Sequence, residues 1–165
     1  MSDVTKQQDT RRAFVDTLND LAVTDPNIIV VIPDVGFNYL DDPKNKFKVI
    51  NTGVNEQFAT IFAANLALQG WTVYYYTMIN FALFRNAEMV RNAIVCHKAP
   101  VTILGVKGSE SYRFLGFSHN LLHEKEDTNF CENIGLMWAK PKTNEEVCET
   151  ILRQHKSPQP LYVRL

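Results

Sequence analysis

Glu56 is the first residue whose position suggests chemistry. It falls in the first turn of an expected helix, directly behind a glycine turn at Gly53. Two readings are open for it. A carboxylate there complements the helix dipole for about 0.3–1 kcal/mol. A buried one also accepts a hydrogen bond from a ligand and exchanges a proton with it. Phe81 and Phe84 stand three apart at the start of a second expected helix. They are either core packing or a stacking surface for a flat heterocycle. Arg85 and Glu88, at i and i+3, read as an ordinary ion pair. His119 and His123 are four apart and would share one face of a helix, as a zinc pair does. The stretch lacks the internal glutamate of HExxH. A third ligand would have to come from Glu124, Cys131 or His97, none of which the spacing specifies. No GxGxxG, GxxxxGK(S/T) or GxSxG occurs, so phosphate cradles and the serine-hydrolase elbow are unsupported.

The elements that must position these residues alternate in type, the signature of a sheet with helices on its faces. Asp9 or Thr10 can cap a helix whose Ala13, Phe14, Leu18, Leu21 and Ala22 keep helical spacing. Ile28 to Ile32 is a continuous β-branched run, as a strand buried on both faces reads. Asp34 follows just past its carboxyl end. Phe47 to Ile50 is a short strand, and a slim, alanine-rich helix runs from about Asn55 to Gln69, ended by Gly70. Trp71 to Met78 reads as a strand, Asn80 to Cys96 as one helix, and Val101 to Val106 as a buried strand. Lys107 to Asp127 has no clear period, and long irregular segments in compact domains are usually functional or mobile. Leu136 to Ala139 suggests a strand, Asn144 to His155 a helix and Leu161 to Leu165 a last strand. The expectation is one α/β domain over 1–165, three-layered, with about six mostly parallel strands and a frayed leader at 1–9. In such sheets ligands sit beyond the carboxyl ends of the strands. The residues falling there are Asp34, Thr52 to Glu56, Met78 to Phe84 and Lys107 to His123.

Composition bounds the rest. The chain has 165 residues, enough to bury roughly 70% of the unfolded surface. Seventeen Lys and Arg nearly cancel eighteen Asp and Glu. The net charge of −1 offers no global field to nucleic acid or an anionic membrane. No apolar run reaches the ~18 residues of a membrane span, and the polar first residues lack a secretory signal. Cys96, Cys131 and Cys148 form neither a CxxC pair nor a disulfide framework, so a reduced, cytoplasmic protein is expected.

Taken in order, these segments resemble the pyrimidine-binding domain of transketolase-like thiamine-diphosphate (ThDP) enzymes. Gly53-Val54-Asn55-Glu56-Gln57, followed by Phe58 to Gly70, is similar to the family's glycine–aliphatic–x–Glu–Gln turn and its alanine-rich helix. Arg11 to Gly36 resembles the opening helix, the strand and the Asp-x-Gly that follows it. Thr77 to Asn92 resembles the aromatic–x–x–aromatic helix with its Arg and Asn, and Pro160 to Leu165 the closing strand. The resemblance implies ThDP as cofactor. It makes Glu56 the catalytic carboxylate facing N1′ of the aminopyrimidine, promoting the imino tautomer and the C2 ylid. It places Phe81 and Phe84 on the pyrimidine ring, with Ala87 where a third aromatic is often found, and adds Asp34 to the cofactor site.

The departures lie in the substrate region. Leu115-Gly116-Phe117-Ser118-His119-Asn120 resembles a Gly-Pro-Thr-His stretch, which makes His119 a catalytic and substrate-contacting residue. Lys107 then stands twelve residues earlier, where transketolases carry a second histidine. A rival alignment puts His119 on that earlier histidine and Asp127 on an acidic partner eight residues later. Lys107, His119 and His123 are the expected substrate contacts, and no metal ligand is assigned in this chain. No Gly-Asp-Gly occurs, the family's signature for holding Mg²⁺ and diphosphate. The resemblance therefore implies a split enzyme: a separate subunit carrying the diphosphate domain and its Mg²⁺, in an α2β2 heterotetramer. The implied reaction is two-carbon (ketol or acyl) transfer, or decarboxylation of a 2-oxo acid with carboligation. A degenerate or regulatory subunit of the same fold is the alternative, and a free-standing hydrolase or metal enzyme built on His119 and His123 is a third.

Overall fold

Five consecutive β-branched residues, Ile28 to Ile32, are all buried and form β1, an inner strand of the sheet. The computed structural model describes residues 9–107 and 110–165. The other strands are β2 (Lys48–Asn51), β3 (Thr72–Met78), β4 (Val101–Val106), β5 (Met137–Ala139) and β6 (Leu161–Arg164). They lie in the order β2-β1-β3-β4-β6-β5, and every pairing is parallel.

Alternation along each strand divides the core into two layers. Ile29 and Val31, Val73 and Tyr75, and Val101 and Ile103 pack under helices α2 (Glu56–Leu68) and α5 (Glu126–Ile134). Ile28, Val30 and Ile32, with Tyr74, Tyr76 and Leu104, pack under α1 (Thr10–Leu21) and α6 (Asn144–Lys156). Ala59, Ala63, Ala64 and Ala67 of α2 are buried, so that helix lies close to the sheet as its alanine stripe predicts. Burying each Ile, Val or Leu here is worth about 1.5–3 kcal/mol relative to exposure.

Two expectations are corrected. The helix read from Asn80 to Cys96 is broken. A single turn, α3 (Ile79–Ala82), is followed by α4 (Ala87–Met89), which continues as a π-helix over Val90–Cys96. The break sits at Asn86, whose buried Nδ2 donates to Thr60 Oγ1 on α2 and to the Ala82 carbonyl at 3.3 Å. A side-chain amide bound in this way competes with the helix ladder. The frayed leader does not reach residue 9. Asp9 caps α1 through the Arg12 amide at 3.1 Å and accepts from the Tyr39 hydroxyl at 3.0 Å. The leader's other positions, 1–8, lie outside the described residues.

Among the described residues no helix is long and apolar enough to cross a membrane.

Candidate functional site

The parallel register sets the carboxyl ends of the central strands side by side. Ile32 pairs with Asn51, and Met78 with Val106. The chain leaves β1 toward β2 on one side, while β3 takes the other side of β1. That reversal is the switch point at which open α/β sheets bind ligands. A cavity of about 340 Å³ opens there. Its walls include Asp34, Gly36 and Tyr39 after β1, Thr77 and Met78 at the end of β3, and Phe81 on α3. His119 and Arg11 also reach it.

One amide joins the loops at this end. Asn51 Oδ1 accepts from the Asp34 amide at 3.1 Å and the Gly53 amide at 2.9 Å, while Nδ2 donates to Asp34 Oδ1 at 3.2 Å. Gly53, at φ 70°, makes the turn that side-chain-bearing residues rarely adopt. Asn55 then caps α2 by accepting from the Phe58 amide at 3.2 Å. Glu56 is thereby the first residue of α2, with its side chain 6% exposed at the positive end of the helix.

Glu56 has a partner the sequence did not reveal. Arg85 Nη1 donates to Glu56 Oε1 at 2.5 Å, and the same guanidinium lies over the Phe81 ring, 3.8 Å from its centroid. The expected Arg85–Glu88 pair is corrected by this contact, since Glu88 instead accepts from Asn92 at 3.5 Å. The i,i+3 rule assumes an unbroken helix, and the break at Asn86 turns Arg85 toward α2. His119 meets Phe81 edge-on at 4.9 Å, and Asn80 Nδ2 donates to the Phe117 carbonyl at 2.9 Å and the Asn120 carbonyl at 3.3 Å. The segment carrying His119 is thus tied to α3.

The remaining site residues are placed less centrally. Phe84 packs edge-on against Phe130 of α5 at 5.8 Å, among the core residues of that layer. Lys107 is bound to Glu124 at 2.9 Å and His123 is exposed, and neither lines the cavity. His119 and His123 do not share a helix face, because the described 3-10 segment ends at Ser118 and α5 begins only at Glu126. Among the described residues no group of three His, Cys, Asp or Glu side chains is placed to hold a metal ion. Asp127 faces inward, held by Arg164 and the Tyr162 hydroxyl. Sequence reasoning missed Arg85, Arg11 and the Thr77 hydroxyl as parts of the site. Thr77 is fully buried at the cavity and has no hydrogen-bond partner among the described residues.

A parallel α/β sheet with a buried helix-terminal carboxylate and an aromatic ring at its switch point makes this an α/β domain of the doubly wound type. Residues 6–165 match the family described as transketolase, pyrimidine binding domain, and the chain belongs to that family. Among characterised proteins it is 28% identical over 158 residues to one of the subunits of the apulose-4-phosphate transketolase of Phocaeicola vulgatus, covering 94% of this chain and 50% of that protein. The chain spans about half the length of this curated relative. Its fold matches a solved structure described as a split gene transketolase, inactive beta4 tetramer. The TM-score is 0.80 at 24% identity, over 94% of this chain and 50% of the other. It also matches the transketolase of Campylobacter jejuni, with a TM-score of 0.77 at 15% identity, over 96% of this chain and 26% of that one.

Proposed function

We propose that this chain is the pyrimidine-binding subunit of a split, transketolase-like ThDP enzyme, with no activity by itself. The observation that carries the reading is Glu56: a buried carboxylate at a helix N-terminus, linked through Arg85 to the Phe81 ring, in a chain of this family. The residues present fit the cofactor's aminopyrimidine. The pair Glu56 and Phe81 already holds a flat, N–H-bearing group, the Arg85 guanidinium, as a stand-in for a ring protonated at N1′. The orphaned Thr77 hydroxyl marks a second polar demand in the adjoining cavity.

Glu56 and Phe81 would hold the ring, with Phe84 and Asp34 supporting the walls. ThDP, when bound, supplies the carbanion chemistry of the reaction. Glu56 holds or exchanges a proton at the ring edge, and its burial keeps water from competing for that bond. His119, anchored edge-on to Phe81, faces the cavity where a substrate hydroxyl or carbonyl would lie, with Lys107 and His123 further out along the same segment. The diphosphate and Mg²⁺ belong to a separate subunit carrying Gly-Asp-Gly, in an α2β2 assembly. The curated relative's name supports two-carbon ketol transfer as the reaction. The free cysteines Cys96, Cys131 and Cys148 support a reducing cytoplasmic setting.

A second reading is a subunit that keeps the fold and the partner but performs no catalysis. Two observations favour it: the inactive tetramer formed by the similar split-gene protein, and the Arg85 side chain that engages Glu56. One experiment separates the two. The chain is combined with a Gly-Asp-Gly subunit, ThDP and Mg²⁺, and both ThDP uptake by calorimetry and turnover of a ketose phosphate are measured. Uptake with turnover, lost in Glu56→Gln, supports the catalytic subunit. Stable association without ThDP uptake supports the non-catalytic one.

A further inference from the structure

We infer that Arg85 is an internal occupant of the ring subsite, a gate that must swing out before a cofactor ring can enter. The inference rests on the reading of Glu56 and Phe81 as the pyrimidine subsite and adds a resident competitor to it. Three observations carry it.

The first is chemical likeness. A guanidinium is planar, presents N–H donors in its own plane to a carboxylate and stacks on aromatic faces. An aminopyrimidine is also planar, stacks in the same way and, when protonated at N1′, presents an in-plane N–H donor to the Glu56 carboxylate. The second is geometry. With Nη1 2.5 Å from Glu56 Oε1 and Cζ 3.8 Å from the Phe81 centroid, the guanidinium takes both the acceptor and the ring face. A second planar group cannot stack there at van der Waals distance while Arg85 remains. The third is the asymmetry of burial. The Glu56 side chain is 6% exposed and that of Arg85 44%, so Arg85 has an open flank to solvent. Its neighbour Asn86 is buried and fastened to Thr60 and Ala82, so the backbone stays in place and the movement is a side-chain one.

Leaving Glu56 buried and unpaired is costly, so Arg85 leaves as another donor arrives and the two exchange. The chain thereby keeps a satisfied carboxylate while waiting for its cofactor. The cost falls on affinity. When the open form is about a tenth of the population, apparent affinity falls about tenfold.

The test uses the chain itself and the isolated ring, 4-amino-5-hydroxymethyl-2-methylpyrimidine, with binding read by calorimetry or ligand-observed NMR. Arg85→Ala is expected to bind the ring roughly tenfold more tightly than the natural chain. Arg85→Lys, which keeps the charge over the site but loses the flat face, is expected to fall between them. It serves as the variant least disturbing to the fold. Methylguanidinium added to Arg85→Ala should compete with the ring, and Glu56→Gln in that background should abolish binding. Equal affinity of natural chain, Arg85→Ala and Arg85→Lys, with Glu56→Gln still abolishing binding, overturns the gate and leaves the pyrimidine subsite standing. Weaker binding by Arg85→Ala also overturns it, since Arg85 would then hold the ring. Binding indifferent to Glu56→Gln, or absent from every variant, removes the subsite and the gate together.

Discussion

Arg164 is clamped by Asp127 through two parallel bonds, Nη2 to Oδ1 at 2.6 Å and Nε to Oδ2 at 2.8 Å. Both side chains are buried, and Asp127 also accepts from the Tyr162 hydroxyl at 2.7 Å and the Thr128 amide at 2.9 Å. The clamp fastens the start of α5 to the end of β6. Asp127→Ala would leave the buried Arg164 guanidinium with Glu124 as its remaining partner, and breaking one side of a buried pair costs up to about 3–5 kcal/mol. Urea unfolding should show a lower midpoint with an unchanged slope. A midpoint equal to that of the natural chain would mean the clamp is not structural.

Glu124 gathers three cations: Lys107 at 2.9 Å, Arg164 at 2.6 Å and Lys140. Lys140 and Lys107, followed by Arg164, hold its carboxyl down from an ordinary 4.5 to about 2. A carboxyl depressed in the folded state contributes stability above its unfolded value, and that contribution is lost as pH falls toward the folded one. Acid unfolding measured by circular dichroism should therefore steepen between pH 4.5 and about 2, and Glu124→Gln should flatten that limb. The side chain is 55% exposed, so solvent screening keeps the effect small and salt-sensitive. An unchanged limb in the variant would assign the acid sensitivity to other groups.

Gly105, within the β4–β6 pairing, allows the Tyr162 ring to approach the strand. A Cβ on residue 105 would lie 2.6 Å from Tyr162 Cε2 and 2.7 Å from its hydroxyl. That ring cannot yield, because its hydroxyl is bound to Asp127 and its surface is fully buried. Gly105→Ala should cost about 1–3 kcal/mol by overpacking. Adding Tyr162→Leu should recover part of that loss, giving a coupling in a double-mutant cycle. Strictly additive losses would show that the two residues do not meet as described.

The sheet was legible because burial on both faces demands apolar runs, which Ile28 to Ile32 and Val101 to Val106 display directly. The alanine stripe of α2 and the glycine turn before Glu56 were legible for the same reason: each is a local pattern with a local cause. Arg85 was not, because its partner lies 29 residues away on another element. Asn86 breaks its helix through a bond to Thr60, 26 residues back, and no window of sequence contains both. The irregular segment after Lys107 could be recognised as irregular. Its tethers, Asn80 to Phe117 and Lys107 to Glu124, are again long-range. Local chemistry thus announced the acid and the ring, and tertiary contacts decided what each one touches.

The three cysteines should separate cleanly by reactivity. Cys96 is exposed at the end of the π-helix, Cys148 is half-buried and Cys131 is buried in α5. Burial, followed by the negative charge of Asp127, pushes the Cys131 thiol up to about 12. The thiolate is the reactive form, so at pH 8 Cys131 is both inaccessible and protonated. A disulfide reagent such as Ellman's should label Cys96 rapidly and Cys131 only as fast as α5 opens. Asp127→Ala removes the nearby charge and loosens the helix, so both effects speed labelling at Cys131 while leaving the rate at Cys96 unchanged. Peptide mapping after timed quenching gives the two rates in one sample. Rapid labelling of Cys131 in the natural chain would contradict the packing of α5 against the sheet, and with it the position of the Asp127–Arg164 clamp.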